Sequence, residues 1–247
     1  MQPISIRNFS GAAVLAVVCI GAVLGVKAQE RQSATAPRPT GKRFSLNVEH
    51  GDFVGISLRA DKARLTDIAA ALATRLKLHI VLAASLEKQS ITVEFQDLSL
   101  EGSMPLLAPH VCVDYEIRAR GQRAPIAIYL FGNDDPAPLS KPAATVSTRT
   151  QSDSLQVDLD DDYLTVIAKQ QPLPAVVAAV AVRLGIPVEI KFESTEIVDI
   201  EIKRIRFEEA IPKLSPQVRL YVRNDLTLVT IKPIKLIIVT PDQTTGK

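Results

Sequence analysis

"MPLLAPHV" at residues 104–111 and "IPKLSPQV" at residues 211–218 are two versions of one phrase: apolar, Pro, any residue, Leu, small, Pro, any residue, Val. They lie 211 − 104 = 107 residues apart. The similarity continues toward the N-terminus, over about 60 residues in all, as in chains built from an internal repeat. The sequence therefore predicts two tandem copies of one small domain. The aligned pairs are Leu65/Leu173, Ala69/Val177, Leu72/Val180, Arg75/Arg183 and Leu76/Leu184 at an offset of 108, and Ile91/Val198, Val93/Ile200, Phe95/Ile202, Leu98/Ile205, Leu100/Phe207 and Glu101/Glu208 at 107.

Hydrophobic spacing predicts the same order of elements in each copy. An apolar stripe that begins at Leu65 and ends at Leu76 indicates a helix near residues 65–77. Apolar and polar residues then alternate from Ile91 to Gln96, as on a half-buried strand. Each copy is expected to follow the order strand-helix-strand-strand-helix-strand-strand, an α+β fold. The domains are placed at residues 44–131 and 155–240, and the last hairpin is expected to turn at Asn224–Asp225.

The repeated phrase itself predicts a short or distorted second helix. Pro105 and Pro212 come after the first helical turn, where a missing N–H removes an intrahelical hydrogen bond. The second Pro of each phrase ends the segment before the next strand. Leu107 and Leu214, between the two prolines, are expected in the core, where each contributes about 1.5–3 kcal/mol.

The N-terminus has the composition of a secretory signal. Arg7 precedes an uncharged apolar run from Gly11 to Val26, and the sequence Val26-Lys27-Ala28 suits cleavage after Ala28. The alternative is an uncleaved anchor, for which the run is short. Residues 29–43 are expected to be disordered, 132–154 to form a Pro/Ser/Thr-rich linker, and 241–247 to form a tail.

Cleavage would leave a neutral chain with one cysteine. The removed segment holds Arg7, Lys27 and Cys19, so 29 − 2 = 27 cations would face 27 acidic residues, and Cys112 would have no disulfide partner. A neutral chain argues against nucleic acid as a partner, since proteins that bind nucleic acid carry a basic face. No later segment is long and apolar enough for membrane insertion, so a periplasmic protein is expected.

"RLTDIAAALATRLKLHIVLAASL" at residues 64–86 and "ITVEFQDLSLEGSMPLLA" at residues 91–108 resemble the secretin and TonB N-terminus short domain (STN) family. The second copy is similar more loosely, best through "IRFEEAIPKL" at residues 205–214. Two features depart from the family: Pro105 and Pro212 fall inside its second helix, and the usual secretin or barrel domain is missing. The resemblance implies noncatalytic periplasmic adaptors that bind partners through sheet edges and helix faces.

The motifs that could support catalysis or bind a metal favour neither role. "DLDDD" at residues 158–162 has carboxylates at alternate positions, but Tyr163 and Lys169 stand where a calcium loop needs Gly and Glu, so a hairpin turn is expected. His110 and Cys112 are too few for a zinc site, and a buried strand thiol is expected. No cofactor or metal is therefore predicted.

Two segments are candidates for partner binding. The apolar run Leu236, Ile237, Ile238 and Val239 is expected either to join the sheet of its own domain or to offer a strand to a partner. Arg118, Arg120 and Arg123 form a basic hairpin that suits a solvated turn or an acidic protein partner.

These observations together predict a noncatalytic periplasmic interaction module of an envelope secretion, pilus or TonB-linked assembly. Its expected partners are envelope proteins such as a secretin or a TonB-linked component, with a homo-oligomer left open. The alternative is a small exported enzyme, which would require a deep pocket with converging polar groups. The linker further predicts that the two copies unfold independently, with Leu72→Ala and Val180→Ala each affecting its own domain.

Overall fold

The computed structural model describes residues 43–50, 54–136 and 154–240, and shows a mixed α+β fold. The predicted signal segment, most of the linker and the tail lie outside these residues. We call residues 43–136 the first half and residues 154–240 the second half. The elements of the first half are β1 (Phe44–His50), β2 (Val54–Arg64), α1 (Leu65–Leu76), β3 (His79–Leu82), β4 (Ser90–Leu98), α2 (Leu100–Ser103), β5 (His110–Ile117) and β6 (Arg123–Phe131). Those of the second half are β7 (Leu155–Asp160), β8 (Tyr163–Pro172), α3 (Leu173–Leu184), β9 (Val188–Ile190), β10 (Ile197–Arg206), α4 (Phe207–Ala210), β11 (Val218–Asp225) and β12 (Thr230–Ile238).

The order of elements is the same in the two halves. α1 and α3 begin 173 − 65 = 108 residues apart, and α2 and α4 begin 207 − 100 = 107 residues apart. Each half differs from the prediction in one respect, because a hairpin rather than a single strand precedes the long helix. The added strands are β1 and β7, which pair antiparallel with β2 and β8.

In each half a single turn of α-helix, α2 or α4, leads directly into the repeated proline phrase, whose first three residues form a 3₁₀ turn. The 3₁₀ segments are Met104–Leu106 and Ile211–Lys213, each with Pro as its second residue, so the predicted short helix is confirmed. Ser99 caps α2 by accepting a hydrogen bond from the Gly102 N–H. Leu107 and Leu214 are both buried, as predicted.

β-Bulges lie at equivalent positions in the two halves, in strands β2 and β4 and in strands β8 and β10. In the first half, Lys62 and Asp97 have positive φ, and their N–H groups donate to the hydroxyls of Thr92 and Ser57 on the neighbouring strand. The second half repeats this pattern at equivalent positions, where the N–H groups of Gln170 and Arg204 donate to Asp199 and Thr165. Such bulges bend a strand. The repeat therefore extends to strand curvature, which periodicity did not indicate.

The two halves share one central sheet. Its six strands run in the order β3-β6-β5-β11-β12-β9, with β5 and β11 antiparallel at the centre. Tyr115 pairs with Val222, its own equivalent since 115 + 107 = 222, so a pseudo-two-fold axis passes through this pair. Smaller sheets, β1-β2-β4 and β10-β8-β7, belong to one half each. The expectation that few contacts connect the halves is therefore wrong.

One hydrophobic cluster extends across both halves. In α1 it includes Leu65, Ile68 and Leu72, and in α3 it includes Val176 and Val180. The described residues also fall in one compact unit. None of the described helices is long and apolar enough to cross a membrane.

Two predicted turns have different outcomes. The acidic stretch at residues 158–162 does form a hairpin turn, with Asp161 in the left-handed region between β7 and β8. The turn predicted at Asn224–Asp225 is wrong, because both residues are still paired in β11. The Asp225 carboxylate accepts from the N–H groups of Thr227 and Leu228, so it starts the turn instead of forming its centre.

Candidate functional site

The apolar run proposed as a partner strand is an internal strand of the protein. Leu236, Ile237 and Ile238 belong to β12, are almost fully buried, and lie between β11 and β9. Val239 continues the pairing by donating its N–H to the Gln217 carbonyl. The core-strand alternative is correct, and this segment has no open edge for a partner.

The three arginines of the first hairpin have different surroundings. Arg118 pairs with Glu116 at 3.0 Å, and Arg120 lies at the tip with positive φ. Arg123 pairs with Glu208, whose side chain is only 6% exposed and which belongs to the second half. At least one of the three is therefore committed to a contact between the halves.

A second ion pair between the halves lies on the opposite face of the central sheet. Asp114 accepts two hydrogen bonds from Arg223, at 2.7 and 2.8 Å, in a bidentate arrangement across β5 and β11. The Arg223 guanidinium also lies over the Tyr129 ring, 4.5 Å from its centroid. Buried, bidentate pairs of this kind fix strand register.

The thiol of Cys112 is buried beside this pair. Burial raises its pKa to about 11, and the carboxylates of Asp225 and Asp114 act in the same direction. A thiol that stays protonated at neutral pH is a poor nucleophile and metal ligand. His110, two residues earlier, stacks on Phe131 with 5.5 Å between ring centroids.

The first half contains a cleft of about 360 Å³ between its helices and the central sheet. Its lining combines apolar side chains with polar groups from β1, α2, β5 and β6 and with one residue of β11, from the second half. Converging polar groups are also the feature that an exported enzyme would require. The apolar lining residues are Val54, Leu76, Leu78, Leu100 and Pro125, and the polar ones are His50, Ser99, Glu101, Tyr115, Arg123 and Asn224.

Tyr115 and Glu101 form the polar centre of this cleft. The Tyr115 hydroxyl donates to Glu101 Oε1 at 2.5 Å. Burial, the hydrogen bond to Glu101 and the charge of that carboxylate all raise the tyrosine pKa far above its ordinary value. The hydroxyl therefore stays protonated and acts as a fixed donor.

The equivalent place in the second half is built differently. Phe207 stands at the position of Leu100 and is buried. Glu208, the equivalent of Glu101, pairs with Arg123 from the first half, and Arg206 lies 4.0 Å away. The second half thus has a larger side chain at the position of Leu100 and two cations within 4.0 Å of the carboxylate at the position of Glu101.

The edge strand β9 is the second candidate site. The Lys191 N–H donates to the Ile238 carbonyl, and the Leu236 N–H donates to the Pro187 carbonyl, so the odd-numbered residues bond inward. In a parallel ladder the backbone groups of the alternate residues, Val188 and Ile190, then point away from the sheet. Ile190 is 55% exposed and Phe192 is 36% exposed. Sequence reasoning missed this edge because the run "PVEIKF" looks like any other strand.

In the parts of the chain that the structure describes, no three His, Cys, Asp or Glu side chains lie together as a metal site needs. Comparison of the chain with known protein families, curated proteins and solved structures finds no match. The resemblance to the secretin and TonB N-terminus short domain family therefore stays a prediction.

Proposed function

We propose that this protein is a noncatalytic interaction module of the periplasm, working in an envelope secretion, pilus or TonB-linked assembly. It binds a protein partner by accepting a strand at the edge of its central sheet. The observation that supports this proposal is the outer edge of β9, which pairs with no other strand among the described residues and where exposed apolar side chains accompany outward-pointing backbone groups.

Strand addition at β9 would combine two kinds of contact. The N–H and C=O groups of Val188 and Ile190 would bond to the added strand and provide affinity. The apolar residues at 188, 190 and 192 alternate with Glu189, Lys191 and Glu193, so a partner strand that alternates apolar and charged residues fits best.

Ile190→Pro tests this edge directly. Proline removes the outward N–H and leaves the inward ladder of residues 187, 189 and 191 in place, as on natural edge strands. We expect full-length tagged protein to lose its envelope partner, while the midpoint of thermal unfolding changes little. The matched control is Ile80→Pro in β3, whose N–H points outward by the same alternation at the opposite end of the sheet.

Capture, light scattering and cell fractionation each test a different part of the proposal. Loss of capture in Ile190→Pro alone supports binding at β9, and equal capture by both variants contradicts it. If light scattering shows a wild-type dimer that Ile190→Pro abolishes, the partner is a second copy of the chain. A full-length, cytoplasmic chain in cell fractionation would contradict the periplasmic proposal as a whole.

A further inference from the structure

We infer that the cleft of the first half binds a small organic cation with an apolar body. The Glu101 carboxylate would pair with the ammonium group, and the hydrocarbon would lie on the wall formed by Leu76, Leu78 and Leu100. This inference is independent of strand addition at β9, because the two sites share no residue.

The size and lining of the cleft suit a small amphipathic molecule. Its volume of about 360 Å³ lies within the ordinary range for ligand pockets. Val54, Leu76, Leu78 and Leu100 supply apolar lining, and Glu101 and Tyr115, joined by a hydrogen bond, supply polar lining. A ligand with one charged end and one hydrocarbon end would match both kinds of lining.

Comparison of the halves indicates the sign of the charge. Arg123 forms an ion pair with the buried Glu208. The repeat equivalent of Arg123 in the second half is Thr230, since 123 + 107 = 230. Threonine has neither the length nor the charge to do for Glu101 what Arg123 does for Glu208.

No ion pair to Glu101 is present among the described residues, where its one hydrogen bond comes from the neutral Tyr115 hydroxyl. Glu101 is exposed at this position. Arg123 also lines the cleft, but its ion pair is with Glu208, so the Glu101 carboxylate stands beside the apolar lining residues without an ion-pair partner among the described residues. A ligand cation would take the place that Arg123 fills in the other half.

The probes are three six-carbon molecules of equal length: hexylamine, hexan-1-ol and hexanoate. Each is titrated into the full chain and followed by calorimetry or by NMR shifts of Tyr115. We expect hexylammonium to bind about fivefold more tightly than hexanol, as a partly exposed ion pair allows, and hexanoate to bind most weakly. Equal affinities for the three probes, or no measurable binding of hexylamine, would overturn the inference.

Glu101→Gln isolates the charge. It should reduce the affinity for hexylammonium to that for hexanol and leave hexanol binding unchanged. Glu193→Gln is the matched control, because it removes the same charge from an exposed site outside the cleft. Equal effects of the two variants would show that hexylammonium responds only to net charge, which contradicts the proposed site.

Leu100→Phe isolates the cavity by introducing the side chain that the second half already has at this position. It should abolish binding of both hexylamine and hexanol while the thermal unfolding curve stays cooperative. If that variant does not fold, Leu78→Phe on the same wall replaces it. If a folded variant with phenylalanine in the cleft bound hexylamine as tightly as the wild type, the ligand would lie elsewhere and the inference would be overturned.

Discussion

At the scale of single residues, the ion pair between Arg123 and Glu208 is the clearest case of one half depending on the other. The Glu208 side chain is almost fully buried, whereas the Arg123 side chain is 47% exposed. Breaking a buried pair costs more than the pair contributes, because the remaining charge stays buried, here with only Arg206 at 4.0 Å to compensate it. Glu208 Oε1, already without a hydrogen-bond partner, makes this cost greater.

Arg123→Met should therefore destabilise the protein by about 1–3 kcal/mol, less than for a fully buried pair because the arginine is half exposed. Urea unfolding measures the change. The double variant Arg123→Met with Glu208→Gln should recover part of the loss, since the orphaned charge is gone. A double variant that is less stable than Arg123→Met alone would contradict this account.

The thiol of Cys112 predicts a pH dependence of stability. Its folded-state pKa is about 11, against an ordinary value of 9.0, because of burial and the nearby carboxylates of Asp225 and Asp114. The unfolded chain therefore loses the proton first, and the stabilisation is present below pH 9 and lost as the pH rises toward 11. We expect this loss to reach about 2 kcal/mol.

The measurement is the difference in unfolding free energy between wild type and Cys112→Ala from pH 8 to pH 11. Taking the difference removes the contribution of Tyr115, whose raised pKa acts in the same direction at still higher pH. A difference that does not change with pH would show that the thiol is not responsible.

At the scale of elements, the two long helices end in the same conformation with different residues. Both C-caps are left-handed, with φ of 55° at Lys77 and 66° at Gly185, which are equivalent at the offset of 108. Glycine adopts this region without cost, whereas a side chain is strained there. A Cβ at Gly185 would meet no atom within 4 Å, so only backbone strain distinguishes the two sites.

Lys77→Gly should stabilise the protein by about 0.5–1 kcal/mol, and Gly185→Lys should destabilise it by about 1 kcal/mol. Thermal unfolding of the two variants measures both effects against one wild type. Destabilisation by Lys77→Gly would mean that the lysine side chain makes a stabilising contact that outweighs the strain.

Sequence patterns predicted the elements whose formation depends mainly on residues close together in the chain. The stripe from Leu65 to Leu76 predicted α1 to within one residue, because helix periodicity needs no knowledge of the neighbours. β1 and β7 were missed because they gain their stability only by pairing with β2 and β8. The bulges were missed because they depend on a hydroxyl or carboxylate from the adjacent strand.

The candidate site was harder to predict than the elements. Four apolar residues from Leu236 to Val239 fit an edge or an internal strand equally well, and the deciding neighbour, β9, lies far away in sequence. The cleft is lined in part by Leu100, at whose equivalent position the other half has Phe207. That difference is visible in the sequence, but its consequence appears only when the two halves are compared in three dimensions.

At the scale of the whole molecule, the shared sheet changes the expectation for unfolding. Because β5 pairs with β11 and the hydrophobic cluster spans both halves, neither half can lose its structure without exposing the other. We expect Leu72→Ala and Val180→Ala to shift one common transition, with Leu72→Ala costing about 2–5 kcal/mol. Calorimetry that resolves two transitions, each moved by one variant, would restore the picture of independent domains.

The pairing of Tyr115 with Val222 has a consequence for fragments of the chain. Cut between residues 136 and 154, the protein would become two pieces, each with one newly open central strand. Mixed together, the pieces should reassemble through β5 and β11, because the ion pairs Arg123–Glu208 and Asp114–Arg223 favour the unlike combination. Alone, the first piece would pair with itself and bring two copies of Tyr115 face to face on the axis. The protein would then correspond to a symmetric dimer of one small domain whose two copies have been joined in a single chain and now differ in sequence.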